Sequence, residues 1–215
     1  MIMKISLQNK RQPPQQPSPS DAATAILDIA ERLAQTKGYN GFSYADIAAE
    51  VGVTKASLHY HFPSKEELGR ALIERYEAVF GAALESIDQL AAKPQEKLRQ
   101  YVGLYDSVVR NDRMCLCGML AAEYATLPAP MQAELKRFFD MNERWLTNVL
   151  QHGRRSGLFM FKESASERAR VILGTLEGAM LVARSYGDPR RFQAAAEHML
   201  EDLGAGGNSR RARLV

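Results

Sequence analysis

Between residues 41 and 68 the chain reads GFSYADIAAEVGVTKASLHYHFPSKEEL, and its apolar positions change spacing in a way that predicts two short helices around a tight turn. Ile47, Ala48 and Val51 form the apolar face of the first, which Ser43 can cap with Asp46 three residues on in the reciprocal position. Gly52 follows, the residue that enters a left-handed turn at least steric cost. Thr54 can cap the second helix, over 55–62, in which Leu58 and Phe62 lie four apart on one face. Lys55, Ala56, Ser57, His59, Tyr60 and His61 then point largely elsewhere. This is a helix-turn-helix pattern, and the exposed set of small, hydroxylated, aromatic and basic groups suits base edges flanked by phosphates.

The same periodicity places helices along the rest of the chain. Ser20 or Asp21 caps a first helix with Ile26, Ile29, Ala30 and Leu33 as its stripe and Gly38 as its end, while Tyr39 and Phe42 plug the space between helices. Ser64 and Glu67 open a long helix carrying Leu68, Leu72, Tyr76, Val79, Ala83, Ile87 and Leu90, running to about residue 92 and shared by two domains. Pro94 starts another, with Leu98, Tyr101, Tyr105 and Val108 on one face. A short buried helix holds Leu116 and Leu120 and stops before Pro128. Met131, Leu135, Phe138, Asn142, Trp145 and Val149 form a seam over 130–152, followed by a loop at 154–157. The helix over 166–186 is apolar nearly all round and so must be buried on two faces. A last helix over 189–203 carries Phe192, Ala195, Ala196, Met199 and Leu203.

The predicted fold class is all-α: a three-helix domain with a helix-turn-helix over 20–68, and a larger helical domain over 69–204, to which the family resemblance described below assigns effector binding and dimerisation. Residues 1–19 and 205–215 are polar tails expected to be disordered. Lys4, Lys10 and Arg11 of the first tail could reach phosphates or a minor groove.

Composition alters this picture little. A chain of 215 residues can bury a sizeable core, and the net charge of +3 does not by itself announce nucleic acid. Apolar runs are short and broken by charges, and the N-terminus lacks a secretory leader's apolar run, so a cytoplasmic protein with no membrane partner is expected. Within the helix-turn-helix domain the acids Asp21, Asp28, Glu31, Asp46, Glu50, Glu66 and Glu67 outnumber Arg32, Lys37, Lys55 and Lys65. DNA affinity must then come from local placement, not from a global basic field. The recognition helix itself carries no acid.

From residue 26 to 68 the chain resembles the N-terminal domain of the TetR family of bacterial transcriptional regulators, above all in ILDIAERLAQTKGY, GFSYADIA, VGV and LHYHFPSKEEL. The resemblance implies a dimeric regulator, a repressor by family habit, that binds double-stranded DNA at a near-palindromic operator. Two recognition helices would enter successive major grooves about 34–36 Å apart. It also implies release by a small-molecule or thiol-reactive effector received by the helical domain. The implied DNA contacts are Ser43, Thr54, Lys55, Ala56, Ser57, His59, Tyr60, His61 and Lys65, with Tyr60, His61 and Lys65 on phosphates. His59 stands where the family usually has tyrosine, which leaves the contact there open.

Other chemistry is sparse. His59 and His61 are two apart on a helix and diverge, so they make a poor metal pair, and neither a metal nor another cofactor is expected. Cys115 and Cys117 are the only cysteines, and are either small buried hydrophobes or reactive thiols. Asn142 and Glu123 place polar groups on apolar seams among Tyr101, Tyr105, Tyr124, Phe138 and Trp145. That composition suits a small organic effector. Gly174 and Gly178 permit close helix approach, and with Phe192, Ala195 and Met199 they make a candidate four-helix dimer interface. The rival reading, an α-helical enzyme acting on a hydrophobic substrate, finds no phosphate loop, no HExxH and no paired carboxylates. Cys115 with distant His152 or His198 is the most it can assemble.

Overall fold

A computed structural model describes residues 19–204. The expected terminal tails, including Lys4, Lys10 and Arg11, and the side chain of Ser20 lie outside the described residues. Within them the chain forms helices α1 (Pro19–Lys37), α2 (Tyr44–Val51), α3 (Lys55–His61), α4 (Lys65–Leu90), α5 (Pro94–Arg110), α6 (Leu116–Ala122), α7 (Ala129–Arg155), α8 (Ala165–Ser185) and α9 (Arg190–Gly204). A single 3-10 turn, Tyr124–Thr126, separates α6 from α7.

Helices α1 to α3 close around Ile26, Ala30, Leu33, Tyr39, Phe42, Ile47 and Leu58, all buried, with the first turns of α4 as the floor. Local chemistry fixes the turn between α2 and α3. Gly52 adopts φ 78°, and the N–H groups of Gly52 and Val53 both donate to the Ala48 carbonyl, at 3.0 and 3.1 Å. Thr54 then starts α3 and Ser64 starts α4, each hydroxyl accepting a backbone N–H three residues on.

Helix α4 spans 26 residues, about 39 Å at the standard rise, and carries the chain from the small domain into the large one. Its buried face differs from the expected one. Phe80 and Leu84 point into the core, whereas Val79 is 65% exposed and Leu90 is also exposed. Both registers satisfy a 3.6-residue period from Tyr76 onward, and packing against α7, where Phe80 meets Phe138, selects the one with Phe80 and Leu84.

Beyond α4, helices α5, α7 and α8 pack around a ring cluster, with α6 beside α1 and α9 against α8. Val109 takes the buried place expected of Val108. Helix α7 runs through Arg155, so the expected loop begins two residues later, and Gly157 makes its left-handed turn at φ 71°. Helix α8 begins with a reciprocal cap between Ser164 and Glu167. No helix among the described residues is long and apolar enough to cross a membrane.

Candidate nucleic-acid interface

Helix α3 buries one side chain, Leu58, and presents Lys55, Ala56, His59 and Tyr60 to solvent, Tyr60 at 79% exposure. Ser57 and His61 are half-buried at its edges. The Thr54 hydroxyl accepts the Ser57 N–H at 3.2 Å, so Thr54 serves the helix start as well as facing solvent. Tyr44, which the sequence pattern did not single out, holds the helix in place. Its hydroxyl donates to the Phe62 carbonyl at 2.8 Å, and its ring meets His59 at a 4.8 Å centroid distance. The Nδ1 of His59 lies 3.2 Å from the Pro63 carbonyl, to which it donates when protonated there. His59 is thus braced by Tyr44 and Pro63, while Tyr60 and His61 meet edge to face at 5.2 Å. An aromatic at the first position of α2, three residues before Ile47, was the visible sign of Tyr44.

Two expected DNA contacts, Ser43 and Lys65, are otherwise engaged. Ser43 donates both its N–H and its hydroxyl to Asp46 Oδ2, each at 2.7 Å, and these bonds lower the Asp46 pKa. Lys65 is engaged more firmly. Its ammonium donates to the Phe42 carbonyl at 2.5 Å and lies 4.6 and 4.5 Å from the ring centroids of Tyr39 and Phe42. Burial lowers its pKa, against the pull of Glu123 and Asp46. A lysine whose charge is spent inside the small domain is a structural clamp first.

The unfavourable charge count also changes meaning in three dimensions. Arg75 of α4 binds Asp28 at 2.7 Å and Glu31 at 2.6 Å, and Arg32 pairs with Glu50. With Asp46 turned to Ser43, four acids are occupied by partners away from α3.

Behind this surface the expected effector residues divide. Tyr101, Tyr105, Phe138 and Asn142 come together, fully buried. The Tyr101 hydroxyl donates to Asn142 Oδ1 at 2.9 Å and sits 3.2 Å from that of Tyr105. Asn142 Nδ2 donates to the Phe138 carbonyl, which satisfies the polar group within its own helix. Trp145 stacks on Tyr101 at 5.3 Å and donates Nε1–H to Asp88 at 3.0 Å, beside a surface groove of about 310 Å³ that Lys97, Asn148 and His152 also line. Glu123 and Tyr124 do not join them. Glu123 follows α6, and its carboxylate binds the backbone N–H groups of Tyr39 and Asn40, while Tyr124 lies half-buried under Lys136.

Cys115 and Cys117 are buried, and burial pushes both thiols up, with the charge of Glu177 and the neighbouring thiol adding to the effect. Neutral, enclosed thiols are poor nucleophiles. His152 and His198 are exposed on α7 and α9, so the buried Cys115 is not exposed alongside them and the enzyme reading gains no support. Among the described residues no cluster of His, Cys, Asp or Glu could hold a metal ion. The expected dimer set divides too. Gly174 and Gly178 face open space, and Val171, Leu181 and Val182 beside them are each about half exposed. Phe192 and Met199 are instead core residues of their own chain, because α9 turns its apolar stripe onto α8; Ala195 stays half-buried. The sequence pattern did not single out Glu177, although an acid in the apolar run TLEGAML was its visible sign.

Comparison with known proteins agrees with this geometry. Residues 26–72 match the model for bacterial regulatory proteins of the tetR family, and residues 94–199 match that of the tetracyclin repressor-like C-terminal domain. A TetR-family transcriptional regulator from Agrobacterium tumefaciens is 36% identical, with a TM-score of 0.85 over 87% of this chain and 100% of that one. A TetR regulator from Legionella pneumophila is 34% identical, with a TM-score of 0.77 over 83% and 95%. The transcriptional repressor NemR of Escherichia coli is 24% identical over 173 residues, covering 76% of this chain and 84% of its own. The chain belongs to the TetR family of bacterial transcriptional regulators.

Proposed function

We propose that this regulator binds a near-palindromic operator as a homodimer in the cytoplasm, acts as a repressor, and is released by a small organic effector. The observation that carries the reading is the exposed face of α3. Lys55, Ala56, His59 and Tyr60 are presented to solvent on a helix without an acid, while neighbouring acids are tied up elsewhere. Small side chains allow close approach to base edges, and Lys55, Tyr60 and His61 supply donors for guanine or phosphate.

Dimerisation is supported by the outer face of α8, where half-exposed Val171, Leu181 and Val182 surround two glycines with nothing near them. The repressor direction rests on relatives such as NemR, which bears that name. Enclosure of both thiols favours a reversibly bound effector over a thiol-reactive one. Such a ligand must prefer the arrangement in which the two recognition helices are wrongly spaced.

A gel shift with the DNA upstream of the protein's own reading frame, at two salt concentrations, tests the proposal. A specific complex that weakens with salt supports it. Absence of specific binding both there and in unbiased operator selection overturns it.

A further inference from the structure

Glu177 stands in the middle of α8 between Leu176 and Gly178. The residue as a whole is half-buried, yet both carboxylate oxygens are shielded from solvent, and neither meets a nitrogen or oxygen donor among the described residues; the Cys115 thiol, a weak donor, is its polar neighbour. The carboxylate faces Gly118 of α6, where an added Cβ would stand 2.1 Å from Oε2, so a side chain at 118 would displace it. Burial raises its pKa to about 7, against the weaker opposing pull of the Cys115 thiol. No lysine, arginine or histidine forms an ion pair with it among the described residues.

Its charge reaches Tyr76, Tyr101 and Tyr105. These rings continue through Phe80 and Phe138 as one cluster, with centroids 5.3–6.2 Å apart. A buried acid is ordinarily paired or hydrogen-bonded, because burial penalises its charge. A carboxylate answered by no cation and only by a thiol, beside aromatic faces, is instead the chemistry that holds an organic cation.

We infer that Glu177 anchors the effector, and that the effector is an organic cation: an amine, amidine or quaternary ammonium on an aromatic or apolar body. The regulatory meaning of this site rests on the proposed function above, whereas the binding itself does not. Tyr76 and Phe80 belong to α4, which only three residues separate from α3. A cation entering the cluster must part α4 from α7 and α8, and that displacement moves the base of the small domain. A neutral body of the same shape would leave Glu177 without a partner.

Three compounds with one ring and different charges test this on the full chain: benzamidine, benzamide and benzoate, with benzyltrimethylammonium as a second cation. Calorimetry and thermal melting should show both cations binding at least tenfold more tightly than benzamide, and benzoate not at all. Glu177→Gln should abolish that preference while keeping its helical signal, and Glu177→Asp should restore part of it. Near pH 7 cation binding should also release protons, seen as a heat that changes between phosphate and Tris buffers. Equal binding of benzamidine and benzamide, a preference that Glu177→Gln retains, or no response to either cation would overturn the inference. Cation binding through Glu177 in a protein that binds no operator would uphold the site and sink the regulatory reading. Operator binding without any cation preference would sink this inference alone.

Discussion

The carboxylate of Glu123 accepts the backbone N–H of Tyr39 at 2.5 Å, tying the end of α6 to the turn that follows α1. The neighbouring N–H of Asn40 donates to the same carboxylate at 3.2 Å, and the Asn40 amide donates to Thr126 at 2.8 Å. From the other side Arg184 of α8 donates to the carbonyls of Gln35 and Thr36. The end of α1 is therefore held by the large domain through the free C=O groups of its last turn and through the N–H groups of the turn that follows it. Gly38 between them has φ 83° and no room for a side chain against Glu123.

Glu123→Ala should cost about 1–3 kcal/mol, the range for hydrogen bonds to a charged acceptor, read by urea unfolding. Hydrogen exchange at Tyr39 and Asn40 should accelerate more than at Ile47. Unchanged exchange at those two amides would show that the clamp is not made in solution.

Lys55 and Thr54 should separate affinity from stability. Lys55→Ala is expected to change stability by less than about 0.5 kcal/mol, while operator binding weakens and its salt dependence becomes shallower. Thr54→Ala should cost about 1 kcal/mol through loss of the α3 cap, with affinity falling as a consequence. Paired melting and gel-shift titrations distinguish the two.

Lys65→Ala should lower stability by about 1–2 kcal/mol, because it removes a hydrogen bond to Phe42 and the charge over two rings. A variant of full stability with weakened operator binding would return Lys65 to the phosphate contacts.

Glu177 makes stability depend on pH. Its folded pKa of about 7 lies above the ordinary 4.5, so the native state holds the proton more tightly than the unfolded chain does. The resulting stability is complete below about pH 4.5 and is lost as pH rises through 7, a total of about 3 kcal/mol. Glu177→Gln should flatten this fall, measured as unfolding free energy at pH 5 and pH 8. The lowered carboxyl groups of Asp46, Glu163, Glu167 and Asp188 titrate below this window.

Leu181→Glu places a charge on the outer face of α8 without touching that chain's core. Sedimentation should shift from dimer to monomer, and operator affinity should fall with it. A dimer that survives the change would locate the interface elsewhere.

The amino-acid sequence by itself determined the elements whose causes are local. Ser43, Gly52, Thr54 and Ser64 punctuate α2, α3 and α4 through bonds spanning three or four residues, so the helix-turn-helix and its exposed face were legible directly. The joint burial of Tyr101, Phe138 and Asn142 was legible from periodicity. Tertiary structure alone decided which of two equally periodic faces α4 buries, since only packing against α7 distinguishes Phe80 from Val79. It also decided where long polar side chains go. Lys65 turns inward to Phe42, Glu123 crosses to Tyr39, and the Glu177 carboxylate settles over Gly118. Each of these is a contact between residues far apart in the chain or on different elements. Spacing along one helix says which side chains share a face, but not what that face meets.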